Sequence, residues 1–338
     1  VIIGAGSIGS ALAARLAQHD PELPLLVVRP ARADALRASG IRLRTPDEDA
    51  TVAVPIATGP EDAGLREDDV LVLTTKTHQA DEALREWADA PVHDVDGRLL
   101  GSASELLPVF TALNGVEAER IASRYFDRVY GVTVWLPAVS LSPGEVVVSI
   151  APTTGILTIG AVPAGSAADH PVLDRFRVDF STAGVDVYVE DDVMPWKYFK
   201  LLSNLANALQ ALLGPDADFD DLATALRDEA RRVYGAAGIV AVPAEQERAR
   251  RGDTFRSRRV PGVEGSTGGS SWQSLARGSG SIETDYLNGE IARIARSVGV
   301  RAPRNALVQR LARLAARDRV EPGSMPVEEL RAMFAALR

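Results

Sequence analysis

Cysteine is absent from the 338 residues. Its absence excludes disulfides, thiolate nucleophiles and cysteine-ligated zinc, and it fits a reducing compartment. Histidine is scarce: the four present (His19, His78, His93 and His170) are scattered and form no HExxH pattern. No GxSxG elbow of a serine hydrolase occurs. Aromatics make up 5% of the chain, and no apolar run approaches the roughly 20 residues that span a bilayer. Positive charge is in deficit, with 37 Lys and Arg against 46 Asp and Glu, a formal net charge of −9. A general nucleic-acid binder or an anionic-membrane binder would carry the opposite balance. The chain begins at "VIIGAG" without an initiator Met or a charged n-region. A few leading residues are therefore expected to be missing, and no signal peptide is expected. These exclusions leave a cytoplasmic protein with no nucleic-acid or membrane partner as the expectation.

What is present is enough chain for two domains, 46% hydrophobic and 25% charged. "VIIGAGSIGSALAARLAQHD" places a short apolar strand, a glycine turn and an Ala/Leu-rich helix within one stretch. Gly4 permits the tight turn, Gly6 lets the backbone approach a pyrophosphate, and Gly9 allows close helix packing. Ser7 and Ile8 complete this cofactor-binding turn, whose exposed N–H groups favour phosphate. The alternative is a glycine turn in some other βα unit. The next strand, "LPLLVV", ends in Arg29, where an NAD site typically has an acid. Arginine pairs instead with a 2′-phosphate, so NADP is expected over NAD, against a plain surface arginine at a strand end. "DVLVLTTK" ends at Lys76 and "VFTALNG" at Asn114-Gly115, as parallel strands do where ligands bind. The polar connection at 92–108 reads as an exposed loop. "VYGVTVWLPAV", "GEVVVSIAP" and "GILTIGA" read as neighbouring strands, "HPVLDRFRVDFSTAG" as a helix and "VDVYVE" as a last strand. The expected fold is α/β: an N-terminal Rossmann-type doubly wound domain over 1–190 and an all-helical C-terminal domain over 191–338.

From Asp191 onward the period is helical, with candidate helices at 194–213, 219–238, 243–251, 282–298, 304–317 and 326–337. Lys197, Lys200, Asn204 and Asn207 fall within one arc of the first, at about 100° per residue. Leu201, Leu202, Leu205, Leu209 and Leu212 fill the opposite face. A surface helix accounts for the lysines, but asparagine is a poor helix former. The run "RARRGDTFRSRR" over 248–259 reads as a solvated helix end and loop, with a polyanion site as the alternative. "EGSTGGSSWQSLARGSGSIETDYLNGE" carries Ser271, Trp272 and Leu275 before Glu283, more than a flexible linker would. Glu283 in a first helical turn is also what the helix dipole alone would favour.

Together, "GAGSIG", "TTKTHQ", "LNG", "KLLSNLANALQAL", "SSWQSLARGSGSIETDYLNGEI" and "VGVRAPRNALVQRL" resemble the ketopantoate reductases (2-dehydropantoate 2-reductases) of the 6-phosphogluconate-dehydrogenase-like group over nearly the whole chain. The resemblance implies that Lys200 is the catalytic lysine and Asn204 a substrate-binding amide. It implies that Ser271 and Glu283 hold the substrate and cofactor region, with Glu283 also catalytic. Asn114 would lie beside the nicotinamide and in reach of the substrate, Lys76 would reach the adenosine end of NADPH, and Arg29 the 2′-phosphate. The implied activity is NADPH-dependent reduction of ketopantoate to (R)-pantoate by a homodimer, with the Lys/Asn arc facing the interdomain cleft. The alternatives are a reductase of another 2-keto acid or ketone and a non-catalytic NADP sensor. The family's second substrate asparagine falls at Ala208 here, with Asn207, the candidate for that substrate-binding amide, one residue early. A further family asparagine has no match near Asp218, and Trp272 and Leu275 replace the usual Met and Asp. Lys197 would either lower the Lys200 pKa or extend into solvent; solvent is the expectation.

Overall fold

The apolar runs that precede Gly4, Arg29 and Asn114 lie in one sheet of the computed structural model. The structure describes residues 1–140, 142–165, 171–253, 255–263 and 268–337. It divides into two compact units. One comprises Val1–Leu113, Glu117–Trp196 and Ala244–Val263; the other comprises Asn114–Val116, Lys197–Pro243 and Glu264–Arg338.

In the first unit the main sheet contains, among the described residues, eight strands. They are β1 (Ile2–Ile3), β2 (Leu26–Val27), β3 (Ile56–Ala57), β4 (Leu71–Leu73), β5 (Val109–Thr111), β6 (Val129–Trp135), β7 (Ile156–Val162) and β8 (Asp186–Val189). Their order is β8-β7-β6-β5-β4-β1-β2-β3. The order reverses between β1 and β4, which is the topological switch point of a dinucleotide fold. Every pairing is parallel except β6 with β7. Helix α1 (Ser7–His19) follows β1, and α2 (Pro30–Ser39) follows β2. The four residues Ala11–Ala14 of α1 are completely buried, so the helix packs through small side chains. Four aromatics stack in this core: Phe110 lies between Tyr130 (4.8 Å) and Phe176 (4.3 Å), and Phe180 continues the stack.

Three expectations change here. "GEVVVSIAP" does not neighbour β6 and β7. Its Glu145–Val148 joins a second sheet with Ala138–Val139, Ile41–Arg44 and Asp49–Val52. Alternation marks a strand but not all its partners: Glu145–Val148 pairs with Ala138–Val139, the end of "VYGVTVWLPAV", and also with Ile41–Arg44 about a hundred residues away. The polar connection at 92–108 is an antiparallel hairpin, Pro91–His93 with Leu99–Ser102, followed by a helical turn at Ala103–Leu106. The Asp94 carboxylate accepts the N–H groups of Asp96 (3.0 Å) and Arg98 (2.8 Å), and Gly97 takes φ +83°. Asp96-Gly97 is the local signal for this turn.

Lastly, the chain re-enters the first unit at Ala244, where helix Ala244–Arg251 leads to Phe255–Ser257, paired antiparallel with Ile150–Pro152. The basic run is ion-paired: Arg250 with Glu190 (2.5 Å), Arg251 with Glu247 (2.7 Å), Arg256 with Asp253 (2.7 Å) and Arg258 with Asp47 (2.7 Å). Arg250 also lies 3.6 Å above the Trp196 ring. These pairings engage four of the run's six arginines with carboxylates of the chain itself. Thr254 of that run and His170, the first residue of the "HPVLDRF" stretch, lie outside the described residues.

The second sheet provides a pH-dependent contact. Arg44 donates to Glu145 at 3.0 Å, and that hydrogen bond outweighs burial and holds the Glu145 carboxyl below the usual carboxylate range. A lowered folded pKa contributes stability that is present above the unfolded value and is lost as pH falls through the folded one. Wild type is therefore expected to be more stable than Glu145→Gln at neutral pH, with the gap closing below about pH 4.5. Denaturant midpoints across that range check it; a gap independent of pH would refute it.

The second unit is helical: α3 (Met194–Asn204), α4 (Asn207–Leu213), α5 (Asp220–Ala237), α6 (Ser270–Ala276), α7 (Asn288–Ser297), α8 (Pro303–Arg317) and α9 (Val327–Ala336). Met194–Trp196 belong to the first unit, so the chain changes unit within α3. A 3-10 turn, Glu283–Tyr286, precedes α7. The expected single helix over 194–213 is interrupted at Leu205 and Ala206. Among the described residues no helix is long and apolar enough to cross a membrane.

Candidate active site

At the carboxyl edge of the main sheet, Gly4 has φ +116°, a conformation closed to most side chains. Gly9 sits so close beneath the turn that an added Cβ would lie 2.0 Å from the Gly4 carbonyl oxygen and 2.5 Å from Thr74 Oγ1. Thr74, at the end of β4, donates to the Gly4 carbonyl at 2.7 Å. It pins the turn through a side chain that nothing in the local sequence "LVLTTK" distinguishes from its neighbour Thr75. Gly6 is the N-cap of α1; no side chain caps the helix, and Gly6 is exposed. An uncapped thirteen-residue helix opened by glycine is a cradle suited to a pyrophosphate. Ser7 and Ile8 form its first turn and are partly buried. Arg29 is exposed at the end of β2 and is the N-cap of α2, where Pro30 follows. Lys76, partly buried beyond β4, opens the 3-10 turn Thr77–Gln79. The residues at this edge suit a dinucleotide.

The second unit contains the remaining candidates: Asn114, Lys200, Asn204, Asn207, Ser271 and Glu283. Lys200 is half-buried on α3, and Asn204 is buried at its end. Between Lys197 and Lys200, Tyr198 anchors the helix. Tyr234 of α5 donates to the Tyr198 carbonyl at 3.2 Å, and the two rings meet edge-on at 5.4 Å. Burial pushes the Tyr234 phenol well above its usual range, so the hydroxyl remains a donor. Lys197 does not extend into solvent as expected. It is 2% exposed, so the arc of lysines and asparagines is no solvated face.

The interruption also changes the reading of Asn207. On a continuous helix, its one-residue offset would rotate the amide by about 100°. Here Asn207 instead begins α4, after the break. An added Cβ on Gly269 would lie 3.9 Å from Asn207 Oδ1 and 2.9 Å from Gln210 Oε1. Gln210 Oε1 accepts the Gly269 N–H at 2.6 Å, just before α6, which carries buried Ser271. Asn207 and the start of the Ser271 helix are thus neighbours. Trp272 lies over Gly268, where a Cβ would come within 2.4 Å of its side chain. Residues 264–267, the first part of the Gly/Ser-rich stretch, lie outside the described residues. Glu283 is buried and opens its 3-10 turn. Gly115, at φ +82°, lets the chain beside Asn114 approach that turn: an added Cβ would meet the Tyr286 carbonyl oxygen at 2.8 Å. Asn114 therefore stands beside the segment that carries Glu283.

The family model described as "Ketopantoate reductase PanE/ApbA" matches residues 1–164, and "Ketopantoate reductase PanE/ApbA C terminal" matches 192–316. A 2-dehydropantoate 2-reductase of Caulobacter vibrioides is 28% identical over 322 residues, 93% of this chain and 98% of the relative. One of Mesorhizobium japonicum is 30% identical over 255 residues, 68% of this chain and 70% of the relative. The solved ternary structure of D-mandelate dehydrogenase with NADH and anilino(oxo)acetate superposes with a TM-score of 0.73 at 19% identity, covering 95% of this chain and all of that one. At that identity the likeness concerns the fold alone. Sheet, glycine turn and matches define a pyridine-nucleotide oxidoreductase acting on a CH–OH/C=O pair. Both halves of the chain contribute to that definition. The chain belongs to the ketopantoate reductase family.

Proposed function

We propose that the protein reduces 2-dehydropantoate (ketopantoate) to (R)-pantoate, the step that supplies pantothenate synthesis, with NADPH as reductant and Lys200 as proton donor. The observation that supports this reading is the pair of close approaches within the helical unit: Asn207 lies beside the start of the Ser271 helix, and Gly115 brings Asn114 against the turn that carries Glu283. The glycine cradle holds the pyrophosphate, Lys76 reaches the adenosine end, and Arg29 pairs with the 2′-phosphate that distinguishes NADP from NAD. Bound NADPH supplies a hydride to the carbonyl carbon. The Lys200 ammonium stabilises the negative charge that grows on the keto oxygen and gives it a proton, which solvent then restores. Asn204 and Asn207 each offer a donor and an acceptor without adding charge, which suits a hydroxy-keto acid. Ser271 donates to the substrate carboxylate. Glu283 accepts from the substrate hydroxyl or keeps the lysine ionised.

Loss of NADPH absorbance with a panel of 2-keto acids tests this reading. Ketopantoate is expected to exceed pyruvate, 2-ketoisovalerate and benzoylformate in kcat/KM by about tenfold or more, a fair yield for hydrogen bonds to its hydroxyl. NADPH is expected to be preferred over NADH by roughly tenfold or more, the worth of a charge-assisted phosphate contact. A panel led by a different 2-keto acid would favour a relative of altered substrate, with Trp272 the first residue to examine. A preference for NADH would overturn the role of Arg29.

A further inference from the structure

A chain of buried polar side chains ends on the interruption between α3 and α4. Glu229 on α5 is 1% exposed, and Asn305 on α8 and Asn288 on α7 are completely buried. None of the three has a place in the chemistry above. Pro303, the first residue of α8, has no N–H, so the first donors of that helix are Arg304 and Asn305. Both end on Glu229: Arg304 N–H reaches Oε2 at 3.1 Å and Asn305 N–H reaches Oε1 at 2.8 Å. The carboxylate of one helix thus caps another.

Two amides continue the chain. Asn305 Nδ2 donates to Glu229 Oε1 (3.0 Å) and to the Leu226 carbonyl (3.2 Å). That fixes which way its amide faces and leaves Oδ1 as an acceptor. Asn288 Nδ2 fills it at 3.1 Å and donates its second hydrogen to the Leu205 carbonyl, also at 3.1 Å. Leu205 lies in the interruption, directly after Asn204, and is itself completely buried. A buried carbonyl at a helix break needs a donor, and Asn288 supplies it.

We propose that Asn288, Asn305 and Glu229 are positioning residues for the reduction proposed above, on which this role rests. They hold the break between α3 and α4 and so set where Asn204 and Asn207 stand. A hydrophobic trio would fill the same space, but it could not select this interrupted backbone over a continuous helix.

Asn288→Leu removes both donors at nearly constant volume. Hydrogen exchange of the amides of 205–210 is expected to accelerate roughly tenfold or more, as a buried carbonyl and Asn305 Oδ1 lose their donor. The KM for ketopantoate is expected to rise roughly tenfold while the NADPH Kd moves by less than about twofold. Should this variant not fold, Asn288→Ser keeps a donor and is expected to show the same pattern at about threefold. Unchanged exchange, or an unchanged KM in a folded variant, overturns the proposal. So does a parallel shift of KM, NADPH Kd and melting temperature, which marks general loosening. Wild-type protein that turns over no 2-keto acid would overturn the function reading and this role with it, a failure visible before any variant is made.

Discussion

Lys200→Ala is expected to lower kcat with ketopantoate by about 10³-fold, within the range for removal of a general acid, and to leave the NADPH Kd within about twofold. Both halves of this result follow from where the residue sits. Lys200 belongs to the helical unit and the glycine cradle to the other, so the variant leaves every proposed dinucleotide contact of the sheet edge in place. On α3 it stands one turn before buried Asn204, on a helix tied down by the Tyr234 hydroxyl. Truncation there removes the ammonium without releasing the backbone. Its half-burial keeps the charge partly shielded from water, where it acts more strongly on a developing oxyanion than it would on the surface. Steady-state kinetics and a fluorescence titration of NADPH read the two halves separately. Turnover equal to wild type would remove Lys200 from the reaction.

Gly9→Ala is expected to weaken NADPH binding by about tenfold or more and to destabilise the first unit by roughly 1–3 kcal/mol, the usual size of an overpacking strain. The added carbon would sit 2.0 Å from the Gly4 carbonyl oxygen, against backbone, so no side-chain rotation relieves it. Either α1 moves away from β1 or the turn opens, and each displaces the cradle. Gly6→Ala is the contrast for stability alone, because its Cβ would meet only the Thr74 carbonyl, at 3.9 Å. Thermal unfolding and dinucleotide titration of Gly9→Ala measure the two effects. A Kd within about twofold of wild type would show that the turn does not hold the pyrophosphate.

Local chemistry explains why the glycine turn was legible. Gly4, Gly6 and Gly9 lie within six residues, and the strand and helix that flank them follow from short-range periodicity. The helical character of the second half was legible on the same grounds. The interruption at 205–206 was not, because Leu201, Leu205, Leu209 and Leu212 keep a helical spacing straight through it. What holds the break is Asn288, 83 residues away along the chain. Lys197 was misread for a related reason: a lysine on a polar arc reads as exposed until the elements packed around it are known. Strand partners are also non-local, so "GEVVVSIAP" and its neighbour Ala138–Val139 are legible from short range while the pairing with Ile41–Arg44 is not. The hairpin over 91–102 is a different case, since Asp96-Gly97 marked it in the sequence and the polar composition around it pointed to a loop. Among the site residues, Lys200, Ser271 and Glu283 came from the family resemblance. Spacing alone supports a surface lysine and a helix-start acid equally well.

A crystal structure with NADP⁺ and pantoate bound would test the account at its centre. Lys200 Nζ is expected within about 3.2 Å of the pantoate 2-hydroxyl oxygen, with the Glu283 carboxylate at the same ligand. Pantoate bound with Lys200 and Glu283 both out of reach of it would contradict the assignment of this chemistry to them.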